Sequence, residues 1–359
     1  MIDPDVFARC TRAALVFDLG AIERTMQRVA AAARAANIVP LFALKSFPDP
    51  RVHALAVQHL AGFDVSSRGE LHALSAAGGA SHGDAGTATP ILSIADPSGG
   101  AIAHAPRPGR VIVACETVDQ VRAAPAHAEI AIRISASLTG RDPAVGAVLE
   151  GSGHRRSRFG LDDRAEVAAL LRAAAGRHVG LHVHHGPVTA TSAERFIATA
   201  RAALALADVE PAFIDLGGAW HGITDLAAAF AEIRAALPSS LEILVEPGRL
   251  YAHDAGFATG RVLASRELPD RTLRVIELSR ICHLRWSQVD LVARAPRPGE
   301  GRKVQLVGPT CYEDDTIGEW IVEPAQLADR VVLANVSGYA LAWNTGFGGI
   351  PPADVIFVP

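Results

Sequence analysis

The chain has 359 residues, of which 49% are hydrophobic and 20% charged. That is enough apolar material for a sizeable folded core and too much for a disordered chain. Its 34 Lys and Arg stand against 38 Asp and Glu, a formal net charge of −4 with no basic tract to follow a phosphate backbone, which argues against nucleic acid as a partner.

In chain order, Met1-Ile2-Asp3-Pro4-Asp5 offers neither the basic nor the apolar region of a secretory signal. No apolar run is long enough to span a bilayer, so neither secretion nor membrane insertion is expected. Ala14-Leu15-Val16-Phe17 reads as a strand, followed by Asp18 at a capping position and by Ile22, Met26, Val29 and Ala33 at helical spacing. Short β-branched runs at 41–44, 62–65, 91–94, 110–114, 131–134, 179–184, 212–216 and 241–245 then alternate with helical stretches such as 68–77 and 192–206. Setting the first strand aside leaves eight, the number that closes a (β/α)8 barrel. After Pro247 the long helices stop, and strands at 256–263, 272–278, 303–307, 331–334 and 355–358 suggest a mainly β domain. The expected fold is therefore α/β: a barrel over residues 15–250 and a β domain over 251–359, joined by the N-terminal segment 1–14. Residues 142–158 and 293–301 read as loops. Cys10, Cys115, Cys282 and Cys311 form no C-x-x-C pair. A zinc knuckle or disulfide framework is thus not indicated, and a reducing, cytoplasmic setting is expected.

Chemically useful residues gather at the C-terminal ends of the predicted barrel strands, where barrel active sites are built. Lys45 ends the first of them, as an amine whose pKa partial desolvation would lower toward nucleophilic use, although a strand-end lysine reaching solvent is the plainer reading. Glu246-Pro247-Gly248-Arg249 follows the last and sets a carboxylate and a guanidinium on one turn. Asp215-Leu216-Gly217-Gly218-Ala219 offers small residues whose amides suit a phosphate, or simply a tight turn. In His182-Val183-His184 the two rings share a strand face, which suits a metal pair, a ring lying on a flat cofactor, or a buried structural histidine.

Taken together, these segments and Phe63-Asp64-Val65-Ser66-Ser67-Arg68-Gly69-Glu70-Leu71, Ile132-Arg133-Ile134, Ser157-Arg158-Phe159-Gly160-Leu161, Gly308-Pro309-Thr310-Cys311 and Gly338-Tyr339 form nine ordered blocks. They resemble the fold-type III pyridoxal-phosphate decarboxylases, the alanine-racemase-like barrel group containing ornithine, arginine and diaminopimelate decarboxylases. The resemblance implies pyridoxal 5'-phosphate bound as an aldimine on Lys45, with His184 stacked on its ring and Glu246 at the pyridine nitrogen. It implies a phosphate site of Gly217, Gly218, Ala219, Gly248, Arg249 and Tyr339, with Asp64, Glu70 and Arg133 in support. It also places the first strand with the C-terminal β domain. A homodimer with shared active sites is implied, in which Cys311 of one subunit protonates the quinonoid intermediate held by the other.

The expected activity is decarboxylation of an amino acid or amino-acid derivative, by a specialised, secondary-metabolic member of the group. Three other readings stay open. A racemase or epimerase on the same scaffold is disfavoured by Glu246, because related racemases carry an arginine there. A metal-dependent barrel hydrolase would use His182 and His184. A non-catalytic pyridoxal-phosphate-binding protein would keep Lys45 without Cys311 chemistry and would usually lack a second domain. The chain departs from the family at Pro187, where a phosphate-binding serine is common, at Ala219, where a third glycine is usual, and at residues 277–283, which lack the usual Asp-Gly pattern. Tyr312 stands where many relatives read the substrate with an acidic residue. Tyr312 and Asp315 are thus the expected substrate contacts. With Arg280, His283 and Arg285 nearby, an acidic, neutral or conjugated substrate is expected over free lysine or ornithine, unless Asp315 reads an ammonium.

Overall fold

The computed structural model describes residues 2–76, 90–107, 109–136, 157–184, 192–293, 301–327 and 329–359. The chain divides into two compact units: Thr25–Lys45 with Asp49–Leu250, and Met1–Arg24 with Ser46–Pro48 and Tyr251–Pro359.

The first strand, β1 (Ala14–Asp18), is apolar and buried on both faces, and its partners lie far along the chain. It runs antiparallel to residues 256–259 and parallel to 354–358. A barrel boundary at residue 15 therefore misplaces this strand, because a short apolar run shows its type but not the sheet it will join. Asp18 ends it as expected, accepting a hydrogen bond from the amide of Ala21 at 2.7 Å, and Ile22, Met26, Val29 and Ala33 form the buried stripe of helix Leu19–Ala35.

The larger unit is a closed barrel of β2 (Ile38–Ala43), β3 (Gly62–Val65), β4 (Ile91–Ile94), β5 (Val111–Cys115), β6 (Glu129–Ile134), β7 (Val179–Val183), β8 (Phe213–Asp215) and β9 (Glu242–Val245). All eight run parallel in sequence order, and β9 returns to β2 with Ile38 opposite Ile243. Leu41, Ile112, Ala114, Ala131, Phe213 and Leu244 form one buried cluster, so the centre is packed with side chains rather than hollow. Local chemistry sets the crossover helices: Asp49, Asp163 and Asp225 cap helices Pro50–His59, Arg164–Ala173 and Leu226–Ala236, and Thr117 with Gln120 makes a reciprocal capping box. At the strands' N-terminal ends, Arg110 donates to Glu129 at 2.9 and 3.0 Å and to Glu242 at 2.7 and 2.6 Å.

The other unit is built on β10 (Gly256–Glu267), β11 (Thr272–Ile276), β12 (Asp290–Leu291), β13 (Arg302–Val307), β14 (Thr316–Val322), β15 (Arg330–Ala334) and β16 (Asp354–Val358). These run in the order β12-β15-β10-β11-β13-β14, with β1 between β10 and β16. The sequence pattern does not pick out β14, whose Gly318 and Glu319 interrupt its apolar run, nor the two-residue β12. Among the described residues no helix is long and apolar enough to cross a membrane.

Candidate active site

Strand register brings polar residues to one level at the C-terminal end of the barrel. Ala43 pairs with Asp64 and Asp64 with Ser93, while Arg133 pairs with His182 and His182 with Asp215. Lys45 follows β2 in the short helical turn Leu44–Ser46, and its Nζ donates to Oδ2 of the fully buried Asp64. Burial and the charge of Glu246 push the Asp64 carboxyl up to about 6 against the opposing pull of Lys45.

Glu246 lies just beyond β9, 2% exposed. Burial alone would raise its pKa, but His182 first, then Lys45 and His184, hold it well below the usual carboxylate range. Oγ of Ser93 donates to its Oε1 at 3.4 Å, and Nε2 of His182 stands 3.6 Å from the same oxygen. Asp215, also buried, accepts the Gly217 amide at 2.8 Å. Burial and neighbouring Glu246 raise its pKa well above normal, so an anionic and a neutral carboxyl group stand side by side.

His184 follows β7. The residue is partly exposed, yet its ring lies deep enough that burial, with the charges of Lys45, His182 and Arg133 adding and Glu246 opposing, lowers its pKa to about 3. The imidazole is neutral at physiological pH. The loop after β8 lies directly against it: a Cβ on Gly217 would sit 2.8 Å from the carbonyl oxygen of Val183, and one on Gly218 3.1 Å from Nε2 of His184. Gly217 and Ala219 both take positive φ, 62° and 75°, which is free for glycine but strained for alanine. Trp220 pins this loop, donating its indole N–H to the Gly217 carbonyl at 2.6 Å and stacking on Phe196 with centroids 3.7 Å apart.

The remaining barrel residues have structural partners. Arg133 pairs with Glu116 at 3.0 Å and covers the ring of Phe159. Glu70 accepts the amide and hydroxyl of Ser66 at 2.7 and 3.1 Å, bracing the segment after Asp64. Arg249 opens the helical turn Arg249–Ala252, directly after Gly248. His185, Gly186 and Pro187 lie outside the described residues.

In the β unit, Cys311 and Tyr312 are exposed, and the Tyr312 ring packs at 5.3 Å against that of Phe347. Asp315 departs from its expected role as a substrate contact. It is 2% exposed; Oδ1 accepts from Ser279 Oγ and from the amides of Arg280 and Ile281, while Oδ2 accepts from the amide and hydroxyl of Thr310. Five donors use up its lone pairs, making it a tether between two loops. Arg280 and His283 are likewise committed: Arg280 donates to the carbonyls of Leu284 and Ser287, and His283 accepts from the Ser279 amide at 3.0 Å while donating from Nε2 to the Pro351 carbonyl at 3.1 Å. Arg285 lies over Trp343. Tyr339 sits in the turn Gly338–Leu341, its ring edge-on to Trp286.

Sequence reasoning missed Ser93 and left Asp215 as a mere strand end. The signal for Ser93 was its isolation as the one polar residue of Ile91–Ile94. The metal-type cluster found among the described residues is His182, Asp215 and Glu246, one ligand atom of each within 4.8 Å of the others, and not the pair His182 and His184 that the hydrolase alternative would use.

Residues 19–253 match the family model described as "Pyridoxal-dependent decarboxylase, pyridoxal binding domain". The chain is 25% identical to a diaminopimelate decarboxylase of Deinococcus radiodurans over 95% of its own length and 89% of the relative's. It is 25% identical to that of Vibrio cholerae over 83% and 75%. Among solved structures, the arginine decarboxylase of Paramecium bursaria Chlorella virus superposes with a TM-score of 0.78, at 16% identity and 99% coverage of both chains. The lysine decarboxylase of Selenomonas ruminantium gives 0.76, at 20% identity over 99% and 94%. At such identities these two likenesses concern the fold.

Proposed function

Because the chain belongs to the pyridoxal-dependent decarboxylases and is thereby an amino-acid decarboxylase, we propose that its barrel rim holds pyridoxal 5'-phosphate on Lys45. We further propose that its substrate's side chain does not end in a small cation. The residues fit such a group. A strand-end amine, a buried carboxylate kept anionic, a neutral imidazole and a left-handed glycine loop share one end of the barrel, and among the described residues Asp64 Oδ1 and Asp215 Oδ2 are buried without a donor. When bound, pyridoxal phosphate supplies an aldehyde for an amine to capture and a protonated ring that accepts the electron pair released as carbon dioxide leaves.

The chain's own groups prepare for that chemistry. Asp64, poised at about 6, is matched to take the proton that Lys45 Nζ must lose before it is nucleophilic. Glu246 holds a proton at the ring nitrogen, since an anion there favours the charged pyridine. Neutral His184 lends a flat face without adding a cation that would compete for Glu246. Gly217, Gly218, Ala219, Gly248, Arg249 and Tyr339 are the phosphate contacts in this reading, and Arg133 supports the rim. The protein acts as a cytoplasmic homodimer, the Cys311 thiol delivering a proton to the substrate α-carbon at the partner's barrel. Its exposure, with that of Tyr312 and Phe347, supports this role. With Asp315 saturated and Tyr312 facing Phe347, no free carboxylate stands at those positions to receive a distal ammonium, so a neutral, acidic or conjugated amino acid is favoured.

The observation that carries the reading is the Lys45–Asp64 ion pair sharing its surroundings with an anionic, buried Glu246. Its test is carbon dioxide release across an amino-acid panel with added pyridoxal phosphate. Turnover should exceed that on ornithine or lysine for at least one uncharged or acidic substrate, and Lys45→Ala should abolish both turnover and the cofactor's visible absorbance. Tyr312→Glu should raise kcat/KM for ornithine or lysine by about tenfold, as expected for pairing one otherwise unpaired ammonium. Retention of turnover and absorbance by Lys45→Ala would overturn the assignment.

A further inference from the structure

His182 and Asp215 have no part in the chemistry derived above, yet both stand against Glu246. One nitrogen of His182 and one oxygen each of Asp215 and Glu246 lie within 4.8 Å of one another, all three side chains buried. Among the described residues Oδ2 of Asp215 meets no donor, while its other oxygen is fixed by the Gly217 amide. A buried carboxyl oxygen beside a second carboxylate and without a donor is the arrangement in which one group keeps its proton and gives it to the other.

We propose that His182 and Asp215 are positioning residues for Glu246, with Asp215 acting as a neutral hydrogen-bond donor to the Glu246 carboxylate and His182 fixing negative charge on it. The inference rests on the reading of Glu246 as the carboxylate that meets the cofactor's ring nitrogen. The geometry agrees with the direction in which the surroundings push each buried carboxyl group, Asp215 up and Glu246 down. The difference lies in their neighbours: His182 and Lys45 lower Glu246, whereas Asp215 feels Glu246 itself and, further off, Asp64. A neutral Asp215 also lowers the repulsion among three carboxyl groups, Asp64, Asp215 and Glu246, that are buried at one barrel end with Lys45 paired to Asp64. Among the described residues Glu246 also meets Ser93 from β4, Asp64 from β3 and His184 from the end of β7.

The arrangement makes an unusual demand: Asp215 is needed for its proton and not for its charge. Asparagine reproduces that function, since its carbonyl accepts the Gly217 amide and its N–H donates to Glu246. Asp215→Asn should therefore bind pyridoxal phosphate within about threefold of the parent, while Asp215→Ala, which strands both partners, should bind at least about tenfold more weakly. His182→Gln should leave folding intact and move loss of the ring-nitrogen proton to lower pH, read from the resonance of isotope-labelled ring nitrogen in the bound cofactor. Affinity and resonance are both independent of turnover. Should Asp215→Asn bind as poorly as Asp215→Ala while the parent binds normally, or His182→Gln leave the ring titration unmoved, the relay is wrong and the cofactor assignment stands. Failure of the parent itself to bind pyridoxal phosphate would instead sink the reading on which it rests.

Discussion

The two ends of the barrel are built from the same residue types and treat charge in opposite ways. At the N-terminal end Arg110 satisfies Glu129 and Glu242 with four hydrogen bonds, and His178 adds a 2.9 Å contact to Glu129. At the C-terminal end Asp64, Asp215 and Glu246 are all buried, Lys45 pairs with Asp64, and among the described residues Oδ1 of Asp64 and Oδ2 of Asp215 meet no donor. Each carboxylate at the first end has a cationic partner within the protein; at the second, burial without full pairing leaves room for a ligand. That contrast separates a charge network that stabilises the fold from one that is chemically poised.

The largest expected effect tests the poised end. Glu246→Gln keeps shape and burial while removing the anion, and should lower kcat by about 100-fold or more, the scale of losing one electrostatic contact to the developing charge. The same substitution should leave unfolding of the cofactor-free protein nearly unchanged. Arg110→Ala should do the reverse. Stripping two partly buried carboxylates of their partner should cost about 1–3 kcal/mol in denaturant unfolding, discounted for the partial exposure of the network, with cofactor affinity unaltered. An Arg110 variant that lost cofactor before it lost stability would break the distinction between the ends.

How much of this was legible in the sequence follows the same division. Lys45, His184 and Glu246 each sit at the end of an apolar strand, so position along the chain was enough to place them on one rim. The Arg110 network was not legible, since its members join residues 19 and 132 positions apart. Asp315 looked like a substrate reader because it stands near Cys311. Thr310 is a local partner, but Ser279 and Arg280 are 36 and 35 residues away, and no local pattern reveals those two. β1 was recognised as a strand, but its neighbours β10 and β16 lie at the other end of the chain.

Acid and base titrations should sharpen the contrast further. Arg110 and His178 together overcome the effect of burial and hold Glu129 below its usual pKa. The unfolded chain therefore binds the extra proton, and stability from this end is present above about pH 4.3 and lost as pH falls further. Asp64, raised to about 6, works in the opposite sense: the folded protein binds the extra proton. Its contribution is full below about pH 3.9 and lost as pH rises through about 6. In the cofactor-free protein Glu129→Gln should flatten the acid limb of the stability profile, and Asp64→Asn the decline between about pH 4 and 6. The smallest effect belongs to the loop under His184. Ala219→Gly relieves a φ of 75° and should stabilise the protein by about 0.5–1 kcal/mol, visible as a higher denaturant midpoint.

The most direct measurement is thermal unfolding of the cofactor-free protein, followed together with its visible absorbance, during separate titrations with pyridoxal phosphate and with zinc. If the C-terminal end of the barrel is unfinished for want of the cofactor, pyridoxal phosphate raises the unfolding temperature and produces a visible band that Lys45→Ala lacks, and zinc does neither. Stabilisation by zinc that a chelator reverses, with no band on adding pyridoxal phosphate, would mean that His182, Asp215 and Glu246 serve a metal and would contradict the account.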